Sequence, residues 1–348
     1  MPLKKPLPAT GLGVLGMTWR EKAAPDEQAF PAMKAAIANG ATIWSSSSIY
    51  GSPPNPPTAG LWLLRHYFEK YPEDTDKLYE IEIGGYSASG EPYQASNLRQ
   101  EGVRASAAEC KSILGPFKMD VFGPARMDPA VPMEETMGAL KGLLEEGAFG
   151  TVGLSKVRAK TIRKANALCP ISVVEIEFPL WGTEILTNGV AETCKELDIP
   201  MLPYAPLGYG FLTGRFRNLE DVPKGDLRLM TGRFQPENFY KNLALAEKLT
   251  ETAEKKGATA AQLALAWIRA HSNNPETNCG TIISTPGATA AERVNENCKI
   301  VELIPEEKAE LDEISKTIPV SGGRQIPGMD HILWAYSDVV GQVSIIAE

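Results

Sequence analysis

Short apolar segments alternate with longer amphipathic ones along most of this 348-residue chain, and that alternation restricts the fold more than any single motif. Segments 41–45, 78–83, 119–122, 151–155, 173–177, 201–204 and 281–284 read as strands. Between them the spacing becomes helical. Segment 58–71 is entered from a Pro-rich turn ending at Pro57, and segment 131–147 puts Met133, Met137, Leu140 and Leu144 on one face with Gly147 as a stop. Thr259 and Gln262 form a capping-box pattern ahead of Leu263, Leu265 and Trp267. Successive strands joined through helices run parallel, because each crossover must travel back along the sheet. With a first strand near 11–13, about eight strand–helix units result, which favours an α/β fold of the closed (β/α)8 TIM-barrel type in one domain over 1–348. No repeat or low-complexity linker marks a second domain. Segment 206–236 lacks clear periodicity and reads as a long functional loop. The tail 318–348, rich in Gly and Pro and carrying His331, Trp334 and Tyr336, reads as a cover over the barrel mouth. In such barrels the C-terminal ends of the strands carry the chemistry, so candidates are sought just after each strand.

Composition removes several function classes. A net charge of −8 and a pI near 5.2 argue against nucleic acid or an anionic membrane surface as the main partner, leaving a small-molecule substrate. No apolar run approaches the roughly 20 residues of a membrane span. Met1 to Thr10 lacks the apolar core of a signal peptide. The cysteines Cys110, Cys169, Cys194, Cys279 and Cys298 are scattered without a CxxC pair, and the three histidines are dispersed. No zinc spacing results, so no metal is expected. The cysteines read as small core residues, and a reducing, cytoplasmic setting follows.

One set of stretches carries more specific information. Gly11-Leu12-Gly13 with Met17-Thr18-Trp19, Ile49-Tyr50-Gly51 and Val152-Gly153-Leu154-Ser155 come first. Tyr204-Ala205-Pro206-Leu207-Gly208-Tyr209-Gly210-Phe211-Leu212-Thr213-Gly214 follows, then Pro286-Gly287-Ala288 and Arg293-Val294-Asn295-Glu296-Asn297. In order and spacing the chain resembles aldo-keto reductases over nearly its whole length, most closely their fungal pyridoxal-reductase-like branch. The resemblance implies NADPH bound across the barrel mouth. Ser155 would contact the nicotinamide carboxamide and Tyr204 would stack on the nicotinamide ring, burying apolar area while fixing its orientation. Leu207, Gly208 and Gly210 would approach the pyrophosphate, with glycine permitting close backbone contact. Arg293 would hold the 2′-phosphate through its planar guanidinium, and Glu296 and Asn297 would contact adenosine. The same trio also fits a solvated helix face. Glu175 stands where the family has a glutamine beside the nicotinamide. If ionised it accepts a carboxamide N–H; otherwise it is a strand-end glutamate facing outward.

The catalytic positions depart further. The family's tyrosine donates a proton to the carbonyl oxygen, a lysine held by an aspartate lowers that tyrosine's pKa, and a histidine orients the carbonyl. By position Tyr50 is kept, while the Asp, Lys and His positions read Ser45, Ile83 and Ala125. A tyrosine titrates near 10 and a neighbouring ammonium favours its ionised form. Without that amine, general acid help worth about 10²–10⁴ in rate is curtailed. The expected function is NADPH-dependent reduction of an activated carbonyl, imine or conjugated alkene of a small metabolite, with Tyr50 as proton donor and positioning supplying much of the rate. The alternative is a non-redox enzyme (cyclase, isomerase or dehydratase), or a cofactor-binding protein without chemistry, acting on a bulky hydrophobic metabolite. Ser45, Ile83 and Ala125 would make its pocket roomier and more apolar. Arg126 reads as an electrostatic clamp, Lys156 as a strand-end cation that is either near the cofactor or, by preference, at the surface, His331 as a solvated tail residue, and His66 and His271 as structural. Ser46–Ser48 fit turn chemistry.

Overall fold

Seven parallel strands pair in chain order in the computed structural model, which describes residues 3, 6–84, 98–128 and 131–324, without the side chains of 80 and 82–84. They are β1 (Leu12–Gly13), β2 (Ile43–Ser46), β3 (Tyr79–Gly84), β4 (Val121–Pro124), β5 (Thr151–Ser155), β6 (Ile171–Glu177) and β7 (Met201–Tyr204). Segment 281–287 closes the ring. It forms parallel bridges from Ile282 to Met201, from Ser284 to Thr10 and from Gly287 to Gly13. Read as a strand, this segment contributes bridges and shared hydrogen bonds, such as Ile283 N–H to Met201 O at 2.9 Å.

The strands are buried on both faces, as a parallel sheet covered by helices requires. All seven residues of β6, Ile-Ser-Val-Val-Glu-Ile-Glu, are buried. Ile43, Tyr79, Ile81, Val121, Val173, Leu202 and Ile283 fill the barrel interior, with Leu3 and Leu7 packed against them. The chain before β1 therefore packs at the N-terminal end of the barrel, opposite the strand ends that hold the site. A larger apolar cluster lies between the strands and the surrounding helices.

β2 and β4 begin two residues later than their apolar segments suggest. Ala41 and Met119 are buried ahead of the assigned strands, and Met119 O still accepts from Gly150 N–H at 3.0 Å. The helix within 131–147 spans Met133–Glu145, and Gly147 at φ +74° ends it. The capping box is present: Thr259 Oγ1 accepts from Gln262 N–H at 3.2 Å, and Gln262 Oε1 accepts from Thr259 N–H at 3.1 Å.

Segment 206–236 folds into short 3-10 turns at Gly208–Thr213, Leu219–Asp221, Leu227–Met230 and Gly232–Phe234. Phe211 sits 5.4 Å from Phe234 and 5.1 Å from Phe239, ring centre to ring centre, which ties the segment to helix Pro236–Lys256. Beyond it, Asn242 pins the chain near its described end by accepting from Ser321 N–H at 2.8 Å. His331, Trp334 and Tyr336 lie outside the described residues. Cys110, Cys169, Cys194 and Cys279 are buried and Cys298 is half-buried, all as free thiols. Among the described residues no helix is long and apolar enough to cross a membrane, and no cluster of potential metal ligands occurs.

Candidate active site

A cavity of about 1400 Å³ opens at the C-terminal ends of the strands. The barrel topology delivers its wall. Ser45 is near the end of β2, Tyr50 lies in the loop after it, and Ala125 and Arg126 follow β4. Ser155 ends β5, Lys156 comes next, Glu175 nears the end of β6 and Tyr204 ends β7. All eight line the cavity, together with Leu207, Gly210, Arg293, Glu296 and Asn297.

Glu175 does not face outward. It is buried inside the barrel, where Ser45 Oγ donates to its Oε1 at 2.6 Å. β2 and β6 stand opposite each other in the ring, so this bond spans the interior. Burial pushes the Glu175 carboxyl up to about 7; the Ser45 bond and the charge of Arg126 pull the other way. The small residue at the aspartate position therefore does not leave a plainly apolar pocket, because a hydrogen-bonded acid occupies its floor. Ala125 does pack against the apolar interior. Ile83 pairs in register with Gly123, and its side chain lies outside the described residues.

Lys156 is not a surface cation. Only 1% of it is exposed, and its ammonium nitrogen has no hydrogen-bond partner among the described residues. Its left-handed backbone, φ 54°, and the bond from its N–H to Glu175 O at 2.9 Å fold the side chain inward. Nζ lies 5.9 Å from the centre of the Tyr204 ring. Burial first, then repulsion by Arg126, Arg324 and Arg233, hold its pKa well below the usual lysine value, against attraction by Glu177. Sequence pattern placed this lysine outside because nothing in it encodes a positive φ.

Tyr50 is half-buried, with its ring 5.8 Å from that of Trp19 at an interplanar angle of 37°. Tyr204 lines the cavity while its hydroxyl is buried without a partner among the described residues. The turn after β7 runs through left-handed conformations at Ala205, Gly208, Tyr209 and Gly210. Gly208 itself does not line the cavity: a Cβ there would lie 2.7 Å from the Trp181 ring, so its glycine serves packing, whereas Gly210 and Leu207 do face the opening.

At the far end Arg293 bonds Glu296 at 3.2 Å, beside buried Asn297. Two arginines of segment 206–236 join them that sequence reasoning had passed over. Arg228 grips Asp226 through Nη2 at 2.7 Å and Nε at 2.8 Å. Arg215 lies against the Phe216 ring at 4.4 Å, with no carboxylate partner among the described residues. Its side chain reaches solvent, yet lost hydration and repulsion by Arg228 and Arg293 lower its pKa to about 10. The signal was compositional: Arg215, Arg217, Arg228 and Arg233 crowd one aperiodic segment.

A sequence profile described as "Aldo/keto reductase family" matches residues 9–316. The chain belongs to that family. It is 38% identical over 298 residues to "Probable pyridoxal reductase 2" of Schizosaccharomyces pombe, covering 82% of this chain and 84% of that protein. It is 33% identical to "Probable aldo-keto reductase 1" of Glycine max, over 94% of this chain and 91% of the other. It is 31% identical to "Aldo-keto reductase yakc [NADP(+)]" of Schizosaccharomyces pombe, over 92% of each chain. The solved glycerol dehydrogenase of Gluconobacter oxydans superposes with a TM-score of 0.76 at 20% identity, over 91% of this chain and 94% of that one, a likeness of fold. As an aldo/keto reductase the protein is an oxidoreductase built on a (β/α)8 barrel.

Proposed function

We propose that this protein uses NADPH to reduce an activated carbonyl, imine or conjugated alkene of a small metabolite, with Tyr50 as the proton donor. The observation that carries this reading is a single cavity with Tyr50, Ser155, Glu175 and Tyr204 at one end and Arg215, Arg228 and Arg293 at the other. The residues present fit the dinucleotide. Arg215, in no salt bridge among the described residues, and its two arginine neighbours form a place for phosphate charge. The left-handed turn 208–210 presents backbone next to it. The relative named with NADP(+) supports the same choice.

Arg293 would hold the 2′-phosphate beside Glu296 and Asn297, Leu207 and Gly210 would border the pyrophosphate, and Tyr204 would stack on the nicotinamide. Ser155 and Glu175 would take the carboxamide. When bound, the reduced dinucleotide supplies the hydride. Tyr50 holds the proton for the substrate heteroatom at its phenol, and Trp19 beside it limits how far that ring can move. Glu175, titrating near 7, is a reserve acid on the cavity floor, held in place by Ser45. With Ile83 at the lysine position, substrates that need little acid help are favoured.

The test follows loss of the near-ultraviolet absorbance of NADPH with a panel of activated acceptors. Tyr50→Phe is expected to lower kcat by about tenfold to a hundredfold, less than a fully assisted general acid contributes, while leaving NADPH affinity within a factor of about two. A protein that binds NADPH yet consumes none across the panel refutes the reading.

A further inference from the structure

The strand ends around the cavity follow chain order, and that order borders the gap in which a reacting carbonyl must sit. Tyr50 stands in the loop after β2, Arg126 just beyond β4, and Ser155, Glu175 and Tyr204 on β5, β6 and β7. Along this arc of the ring the β4 end lies between the proton donor and the nicotinamide wall. Here β4 closes tightly on β5: a Cβ at Gly123 would lie 1.9 Å from Gly153 O, so glycine permits the approach. The chain then delivers Arg126, whose Nη1 donates to Ser155 Oγ at 3.5 Å and to Ala125 O. Arg126 is half-buried and lines the cavity, so its guanidinium is within reach of a bound molecule. Its charge is felt across the same wall, at the Glu175 carboxyl and the Tyr204 phenol. Ala125, the neighbour that stands at the histidine position, offers the substrate no polar side-chain atom.

We propose that Arg126 is a second catalytic residue, whose guanidinium holds the substrate oxygen as negative charge gathers on it. This deepens the reductase reading and rests on it for the hydride. Hydride brings an electron pair to the carbonyl carbon, the C=O π pair moves to oxygen, and the Tyr50 phenol supplies the proton that completes the hydroxyl. The substrate is reduced, NADPH is oxidised to NADP+, and solvent returns the proton to Tyr50. Arg126 gives up no proton, because a guanidinium stays charged throughout. Its charge stabilises the oxygen before the proton arrives, the moment that Ile83 and Ala125 leave without an ammonium or an imidazole. A cation aimed at charge that appears only in the transition state raises kcat and adds little to ground-state binding. The substrate is thereby narrowed to a carbonyl compound, since a protonated imine would bring its own positive charge against the guanidinium.

The experiment uses the full chain with 4-nitrobenzaldehyde, an activated carbonyl compound without net charge. At saturating NADPH, Arg126→Ala is expected to lower kcat about a hundredfold. Fluorescence titration finds its Kd for NADPH within about threefold of the parent. Arg126→Gln, which keeps N–H donors without charge, falls nearly as far, whereas Arg126→Lys keeps kcat within about tenfold. Guanidinium at about 10 mM, far below the molar range that unfolds a protein, restores about tenfold to Arg126→Ala and nothing to Tyr50→Phe. A second readout needs no turnover. Benzoate, whose carboxylate stands for the charged oxygen, binds the NADP+-loaded parent about tenfold more tightly than NADP+-loaded Arg126→Ala in calorimetry. The proposal is overturned by a kcat for Arg126→Ala within about threefold of the parent, by equal benzoate affinities, or by a loss that excess NADPH cures, which would make Arg126 a carboxamide contact. A loss that neither lysine nor guanidinium repairs also overturns it, as the mark of a structural brace. A parent that consumes no NADPH with any acceptor removes the reductase reading and this role with it; an active parent with an unaffected Arg126→Ala removes this role alone.

Discussion

Glu175 and Lys156 are bonded through their backbones, yet their side chains form no ion pair, and each is held toward its neutral form. Desolvation dominates both, because each side chain leaves water without gaining an opposite charge close enough to offset the loss. For Glu175 this makes stability depend on pH. Its carboxyl rises from an ordinary 4.5 to about 7 on folding, so the folded state keeps its proton where the unfolded chain releases it. Stability linked to this group is fully present below about 4.5 and is lost as pH climbs through about 7. Glu175→Gln keeps an acceptor for Ser45 and removes the titration. It is expected to be more stable than the parent at pH 8 by up to about 3 kcal/mol, with little difference at pH 4.5. Urea denaturation at both pH values checks this; equal stability differences at the two pH values would show that Glu175 is not the titrating group.

Among the elements, segment 206–236 contributes most to the site and was least legible. It has no helical or strand period because its structure is a succession of 3-10 turns held by an aromatic cluster, and such turns leave no repeating pattern. Arg215 on this segment has no salt bridge among the described residues to lose when truncated, so Arg215→Ala should leave folding stability nearly unchanged. The same change removes a charge-assisted phosphate contact, which is worth about 1.5–3 kcal/mol. The Kd for NADPH is therefore expected to rise roughly tenfold to a hundredfold, most at low salt, in a fluorescence titration. A Kd within twofold of the parent would place the phosphates elsewhere. The strand ends behaved differently. β5 and β7 match their sequence segments to the residue, since apolar runs bounded by polar or turn residues leave one way to pair.

For the molecule as a whole, closure depends on the few bridges that 281–287 makes to β7 and β1, and the same segment runs on into the cavity wall at Thr285 to Ala290. A dinucleotide held there would engage β5, β6, β7, segment 206–236 and the helix Ala291–Cys298 at once, so it binds the closed barrel and not the unfolded chain. NADPH at a hundredfold over its Kd is expected to add about 2.7 kcal/mol to folding stability and to raise Tm accordingly. A thermal scan in which NADPH shifts nothing contradicts the cofactor site. The sequence by itself determined the alternation of strands and helices, the parallel sheet, and the positions at the strand ends. These follow from local periodicity and from the handful of ways a chain can connect parallel strands. It also carried the family likeness on which Ser155, Tyr204 and Arg293 were chosen. Only the tertiary structure decided that Glu175 meets Ser45 across the barrel, that Lys156 turns inward without a hydrogen-bond partner among the described residues, and that Arg215 and Arg228 join Arg293. Charge states and cross-barrel partners depend on distances between residues far apart in the chain and on the water excluded between them, and neither quantity is written in local spacing.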